Sequence, residues 1–155
     1  MNAIDNLDIL FIVFGLLFQI VLIIHFAFRR WAFHIAKQYG PFVYALGIPA
    51  FLLSLAQIAA GKPWSLWLGG VLFLVWGIYG YYVEYVRQIE WRDPPYWPVF
   101  GPYLTLYLAT IMFYWWPLWD LARPLWYVYT VLFVIATILN LASHHPVDKD
   151  RPQVA

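Results

Sequence analysis

The chain has no cysteine among its 155 residues. Disulfides, thiolate nucleophiles and cysteine-bound metals are therefore excluded from its chemistry. Charge is nearly as scarce, because Asp, Glu, Lys and Arg together make up 11% of the chain, against about 25% in a soluble domain. So little charge does not clothe a water-facing exterior. The net charge of +1 leaves no basic excess to attract nucleic acid. Ser-x-x-Lys, His-Glu-x-x-His, a Gly-rich phosphate loop and a carboxylate cluster for a divalent cation are all missing. No repeat divides the chain into halves. These absences point away from an enzyme and from an inverted-repeat transporter.

What is present is apolar. Hydrophobic residues make up 64% of the chain and aromatic residues 22%. A bilayer core about 30 Å thick is crossed by about 20 helical residues, and five stretches have that length: 9–28, 42–60, 64–83, 98–116 and 124–142. In lipid every backbone amide needs a partner within its own segment, so each stretch reads as a helix. The expected fold is an all-α integral membrane protein, a five-helix transmembrane bundle. Residues 1–143 form one domain and 144–155 a polar C-terminal tail. The start "MNAIDNLD" is acidic, and the apolar run after it ends in Arg29 and Arg30, so it reads as a retained first span and not as a cleaved signal.

The basic residues orient the bundle. With the N-terminus outside and the C-terminus cytoplasmic, Arg29, Arg30, Lys37, Arg87, Arg92, Lys149 and Arg151 fall inside, and Lys62 and Arg123 outside. That is the asymmetry of the positive-inside rule, and it suggests a bacterial inner membrane. Tryptophans follow the same map. Trp64, Trp67, Trp115, Trp116, Trp119 and Trp126 mark the outer boundary; Trp31, Trp91 and Trp97 mark the inner one. Trp76 lies in the middle of the third span, where indole has no headgroup to meet.

Small residues predict the packing. Gly47, Ala50 and Ser54 share a face of the second span, and Gly70, Gly77 and Gly80 lie on the third. Such spacing lets helix backbones approach closely, and Pro49 is expected to bend the second span. Pro94, Pro95 and Pro98 fall where the chain turns to re-enter the membrane, since proline costs nothing in a helix's first turn. Pro102 adds a local kink. In the fourth span Tyr96, Phe100, Tyr103, Tyr107 and Tyr114 recur along one face, while Leu104, Leu108, Ile111 and Met112 fall mostly elsewhere and suit lipid.

Few ionisable groups approach membrane depth. His25 reads as an interfacial histidine, and with His144 and His145 on the same side a haem-ligating pair is the sharper alternative. "EYVRQIEWRD" places Glu84, Arg87 and Glu90 three apart, as on a solvated extension of the third helix; Glu84, nearest the bilayer, is the candidate for a ligand's polar head. Gln19, Gln57 and Asn140 are expected to bond between helices. The segment "PPYWPVFGPYLTLYLATIMFYWW", with Pro94, Pro95, Trp97, Phe100, Gly101, Pro102 and Tyr107, resembles a motif of the tryptophan-rich sensory/translocator proteins. That resemblance implies a small five-helix membrane fold binding porphyrins or sterols between aromatic helices. In that family the motif opens the second helix; here it opens the fourth.

Two functions follow as expectations. One is non-catalytic binding of a tetrapyrrole, quinone, carotenoid or sterol, with Trp76, Phe100, Tyr103, Tyr107, Tyr114, His25 and Glu84 as ligand-binding residues and no metal. A tetrapyrrole or other lipophilic pigment would be the cofactor. The other is an accessory or assembly subunit, its partners being the lipid bilayer and other membrane subunits or further copies of itself.

Overall fold

The structure, a computed structural model, describes residues 4–91 and 94–144. His145 and the remainder of the polar tail lie outside them, as do Arg92 and Asp93. Every regular element among the described residues is helical. Helix α1 covers Asn6–Trp31, α2 Phe33–Ala45, α3 Gly47–Ala59, α4 Trp64–Tyr81, α5 Trp97–Trp115, the short α6 Leu118–Leu121, and α7 Arg123–Ala142. A wide π-helical turn, Tyr82–Val86, closes α4.

Helices α2 and α3 run on from one another, so the second apolar stretch is helical from Phe33 and not from residue 42. The break between them falls at Leu46. Pro49 accounts for it: proline has no N–H for the Ala45 carbonyl four residues back, and its ring crowds that carbonyl. Four stretches are long and apolar enough to cross a membrane: Asn6–Trp31, Phe33–Ala59, Trp64–Val86 and Arg123–Ala142. The fifth long helix, α5, is 19 residues long but is not among them. Its tyrosines, tryptophans and prolines make it the least apolar of the five.

Local signals set the helix ends. Asp5 caps α1 by accepting from the Asp8 N–H at 3.0 Å, and Asp8 accepts in return from the Asp5 N–H at 3.2 Å. This reciprocal box satisfies two of the amides a helix start leaves open. Helix α3 ends at Gly61, whose φ of +67° is a backbone state that glycine reaches without strain. The Gly61 N–H returns to Ile58 and the Lys62 N–H to Gln57, the paired bonds of a Schellman end. Helix α5 starts with Pro98 in its first turn.

Polar contacts fix which ends meet. Lys62, in the α3–α4 loop, pairs with Asp5 at 2.6 Å and Asp8 at 2.7 Å. At the other end the Arg30 guanidinium donates to the Ala142 carbonyl at 2.7 Å. The start of α1 and the close of α7 therefore lie at opposite ends of the bundle. The order of packing is α7, α1, the α2–α3 pair, α4 and α5, with α5 returning to α7 and α1.

The close approach of α2 and α3 to α4 is made of the small residues. A methyl on Gly77 would lie 2.6 Å from the Tyr44 carbonyl, and one on Gly47 would lie 3.0 Å from the Leu74 Cα. At Gly70 a methyl would collide with the Ala50 carbonyl and the Ser54 hydroxyl. Ser54 donates across the seam to the Trp67 carbonyl at 2.7 Å. On α1, Phe11, Phe18, Leu22 and Phe26 form the buried face, while Leu10, Val13, Leu17 and Ile24 point outward. Val131, Ile138 and Leu141 of α7 are likewise exposed. An exterior that is apolar on every long helix suits lipid and not water.

The segment after α4 departs from the expected helical extension. Helix geometry stops at Val86, Gln88 takes φ +50°, and the Ile89 N–H bonds back to the Val83 carbonyl. Glu84, Arg87 and Glu90 thus share no helix face. The chain folds back because Trp91 is buried at the foot of α5, against Tyr103 at 4.6 Å and Phe100 at 5.8 Å. Ile111 also differs from expectation, being fully buried beside Tyr107 and Tyr114.

Gly70→Ala is expected to destabilise the bundle by about 1–3 kcal/mol through overpacking. A thermal melt of the detergent-solubilised protein measures it; an unchanged or raised midpoint would contradict the seam as described.

Candidate functional site

Trp76 occupies the crossing of four helices. Its ring lies 5.2 Å from Tyr44, 5.5 Å from Phe73, 5.7 Å from Tyr107 and 5.8 Å from Tyr103. Phe18 of α1 meets it edge-on at 6.1 Å. Each aromatic pair of this kind contributes about 0.5–1.5 kcal/mol beyond burial. The mid-span tryptophan is a packing centre, and its indole N–H has no hydrogen-bond partner.

Below this centre, toward the end marked by Arg30, a cavity of about 160 Å³ opens. Phe26 and Arg29 of α1 form one wall; Phe100, Tyr103, Leu104 and Tyr107 of α5 form the next. Asn140 and Leu141 close it from α7 and His144 from the turn just past that helix, and Trp91 covers its foot. Helical spacing explains the two longer walls: positions 26 and 29, and 100, 103 and 107, each recur on one face. Tyr103 is braced by its hydroxyl, 3.0 Å from that of Tyr44. The Tyr107 hydroxyl is buried without a hydrogen-bond partner. A polar group buried that way costs about 1–3 kcal/mol.

The residues singled out in the sequence separate into groups. Phe100, Tyr103 and Tyr107 line the cavity together, and Trp76 backs the two tyrosines. Tyr114 sits in the other half of the bundle, stacked on Phe11 at 5.2 Å. His25 lies beside Gly40 between α1 and α2, and Glu84 sits in the wide turn; neither lines the cavity. His144 does line it. No group of three or more His, Asp or Glu able to hold a metal occurs among the described residues.

Phe26, Arg29 and His144 were not foreseen as wall residues, although the spacing of Phe26 and Arg29 is a legible signal. Trp91 reads as an interfacial anchor yet is only 3% exposed. Gln19 is completely buried beside the Tyr129 hydroxyl, outside hydrogen-bonding geometry, so neither amide atom forms the expected interhelical bond. Tyr129 donates instead to the Ile111 carbonyl at 3.3 Å. Asn140 presents its side to the cavity.

A second hollow, about 360 Å³, lies at the opposite end among Asp8, Gly61, Lys62, Pro63 and Asp120. Here the hydrogen bond from Lys62 holds the Asp5 carboxyl below its ordinary 3.8, and the same bond raises Lys62 above 10.5. A lowered carboxylate pKa stabilises the folded end above the ordinary value and loses that contribution as pH falls through the lowered one. A raised lysine contributes below 10.5 and is lost as pH climbs through its raised value. In Lys62→Gln the Asp5 carboxyl is expected to titrate higher than in the parent, because the hydrogen bond that lowers it most is gone while the backbone bonds from Asp8 and Leu7 remain. Carbon-detected NMR of the side-chain carboxyl follows it, and an unmoved midpoint would rule the clamp out.

No protein-family model, no curated protein and no solved structure matches the chain. The likeness of residues 94–116 to the tryptophan-rich sensory/translocator motif thus stays a local one.

Proposed function

We propose that the chain is a five-span protein of the bacterial inner membrane, N-terminus outside and C-terminus cytoplasmic, that binds a hydrophobic ligand without converting it. The apolar exterior supports the membrane reading. The separation of charge supports the orientation: Arg29, Arg30, Lys37 and Arg87 belong to the end where Arg30 meets Ala142 and Tyr85 donates to the Lys37 carbonyl, whereas Lys62 joins Asp5, Asp8 and Asp120 at the other. The cavity carries the functional reading. It is aromatic and partly open, and Tyr107, whose buried hydroxyl has no hydrogen-bond partner, stands in its wall.

Its volume narrows the ligand. Sites for whole drug-sized molecules run to roughly 300–1,000 Å³, so about 160 Å³ encloses one ring or a head group, not an entire tetrapyrrole or sterol. The remainder of the molecule lies outside it, against the helices. A second reading, an accessory subunit of a larger membrane complex, is favoured by α7, whose exposed Val131, Ile138 and Leu141 offer a contact face.

Reporter fusions at the two termini are expected to place them on opposite sides of the membrane; both on one side would overturn the five-span topology. For the ligand, the protein is purified in mild detergent and its absorption spectrum and native mass recorded. A monomer carrying an adduct that Tyr107→Leu removes is the expected result. A bare chain that runs only with stoichiometric other chains would replace the ligand reading with the subunit one.

A further inference from the structure

We infer that the Tyr85 hydroxyl stands in for the amide hydrogen that Pro41 lacks. This contact latches the wide turn after α4 onto α2, and so holds the segment that covers the foot of the cavity. It belongs to the packing of the helices and is there whatever the cavity holds. Three features of the structure carry it.

The first is a difference between two prolines of one span. Pro49 interrupts the helix, which breaks at Leu46. Pro41 also lies inside a helix, yet α2 runs unbroken through it from Phe33 to Ala45. Each proline deprives the carbonyl four residues earlier of its helical donor. For Pro41 that carbonyl belongs to Lys37, and there the Tyr85 hydroxyl donates at 3.1 Å. A carbonyl freed by proline and met again from a neighbouring element lets the helix continue.

The second is the room made for the tyrosine. Gly40 is buried next to Pro41. A methyl on it would collide with the Tyr85 hydroxyl and lie 3.1 Å from the ring carbon that bears it. The Tyr85 ring is held from two sides, stacked on Tyr81 at 5.5 Å and edge-on to Tyr44 at 6.3 Å. Glycine gives the space, proline the open acceptor and tyrosine the donor.

The third is where the turn leads. Tyr85 belongs to the Tyr82–Val86 turn. The Arg87 N–H closes that turn on the Tyr82 carbonyl at 2.8 Å, and the Ile89 N–H returns to the Val83 carbonyl at 3.0 Å. Val83 packs in one buried cluster with Trp91 and Val99, and Trp91 forms the foot of the cavity. One short turn thus grips α2 through Tyr85 and supports Trp91 through Val83.

The test uses the full chain in phosphatidylcholine nanodiscs, as the parent, Tyr85→Phe, Pro41→Ala and the double variant. Tyr85→Phe is expected to lower the thermal midpoint by about 2–4 °C, the loss of one hydrogen bond in a chain of this size. It is also expected to speed hydrogen exchange over residues 87–91, read by mass spectrometry. Pro41→Ala returns an N–H to the Lys37 carbonyl, so in that background the same change lowers the midpoint less than about half as far. Equal losses in the two backgrounds would show that the hydroxyl does not replace the proline's missing donor, and overturn the proposal. No loss in the proline background overturns it as well, and so does unaltered exchange over 87–91. If Tyr85→Phe does not fold, recovery on adding Pro41→Ala supports the latch and failure to recover overturns it.

Discussion

The bundle depends on the backbone contact between α4 and the α2–α3 pair. Between helices as apolar on the outside as on the inside, association needs surfaces that approach within van der Waals reach along several turns. Gly47, Gly70 and Gly77 supply them, and Ser54 adds a hydrogen bond to the Trp67 carbonyl. With α4 drawn close on that side, Trp76 meets Phe18, Tyr103 and Tyr107 from its neighbours. Those rings in turn set the roof of the cavity. A seam of small residues on one side of α4 thus positions the large ones on the other.

The two ends of the molecule are built differently. At one, Lys62 reaches from a tightly capped loop to both acidic residues of the α1 start, a polar clamp at the surface. At the other, a basic and aromatic rim encloses the cavity, and the chain between α4 and α5 folds inward to bury Trp91. Tyr79 secures that fold by donating to the Val99 carbonyl at 3.2 Å. One end is braced by charge, and the other is left with room.

Much of this is legible in the sequence. Apolar length marks the helices, because a long apolar run pairs its backbone groups within itself most simply as a helix. Glycine and serine spacing marks the α3–α4 seam, and Gly61 with Lys62 marks a helix end. Tyr103 and Tyr107 fall at the cavity because a helical period carries them there. Periodicity within one helix is silent, however, about what another helix brings opposite. It therefore does not separate Tyr114, which packs against Phe11 and Phe14, from Tyr107 on the same face. Nor does it reveal that Trp91 turns inward, since that follows from the path of a loop. The start of α2 at Phe33 is hidden because "FHIAKQYG" is polar enough to pass for a surface segment.

The wide turn at Tyr82–Val86 has a consequence for register. A π turn amounts to one residue inserted in an α-helix, so each side chain beyond it is set back by about 100° relative to an uninterrupted helix. Tyr85 lies within that turn and faces α2, where its hydroxyl donates to the Lys37 carbonyl and its ring closes on Gly40. Removing a single residue there would bring α4 back into phase and carry that tyrosine off its partner. The length of this short stretch, more than its composition, decides which neighbour the end of α4 grips.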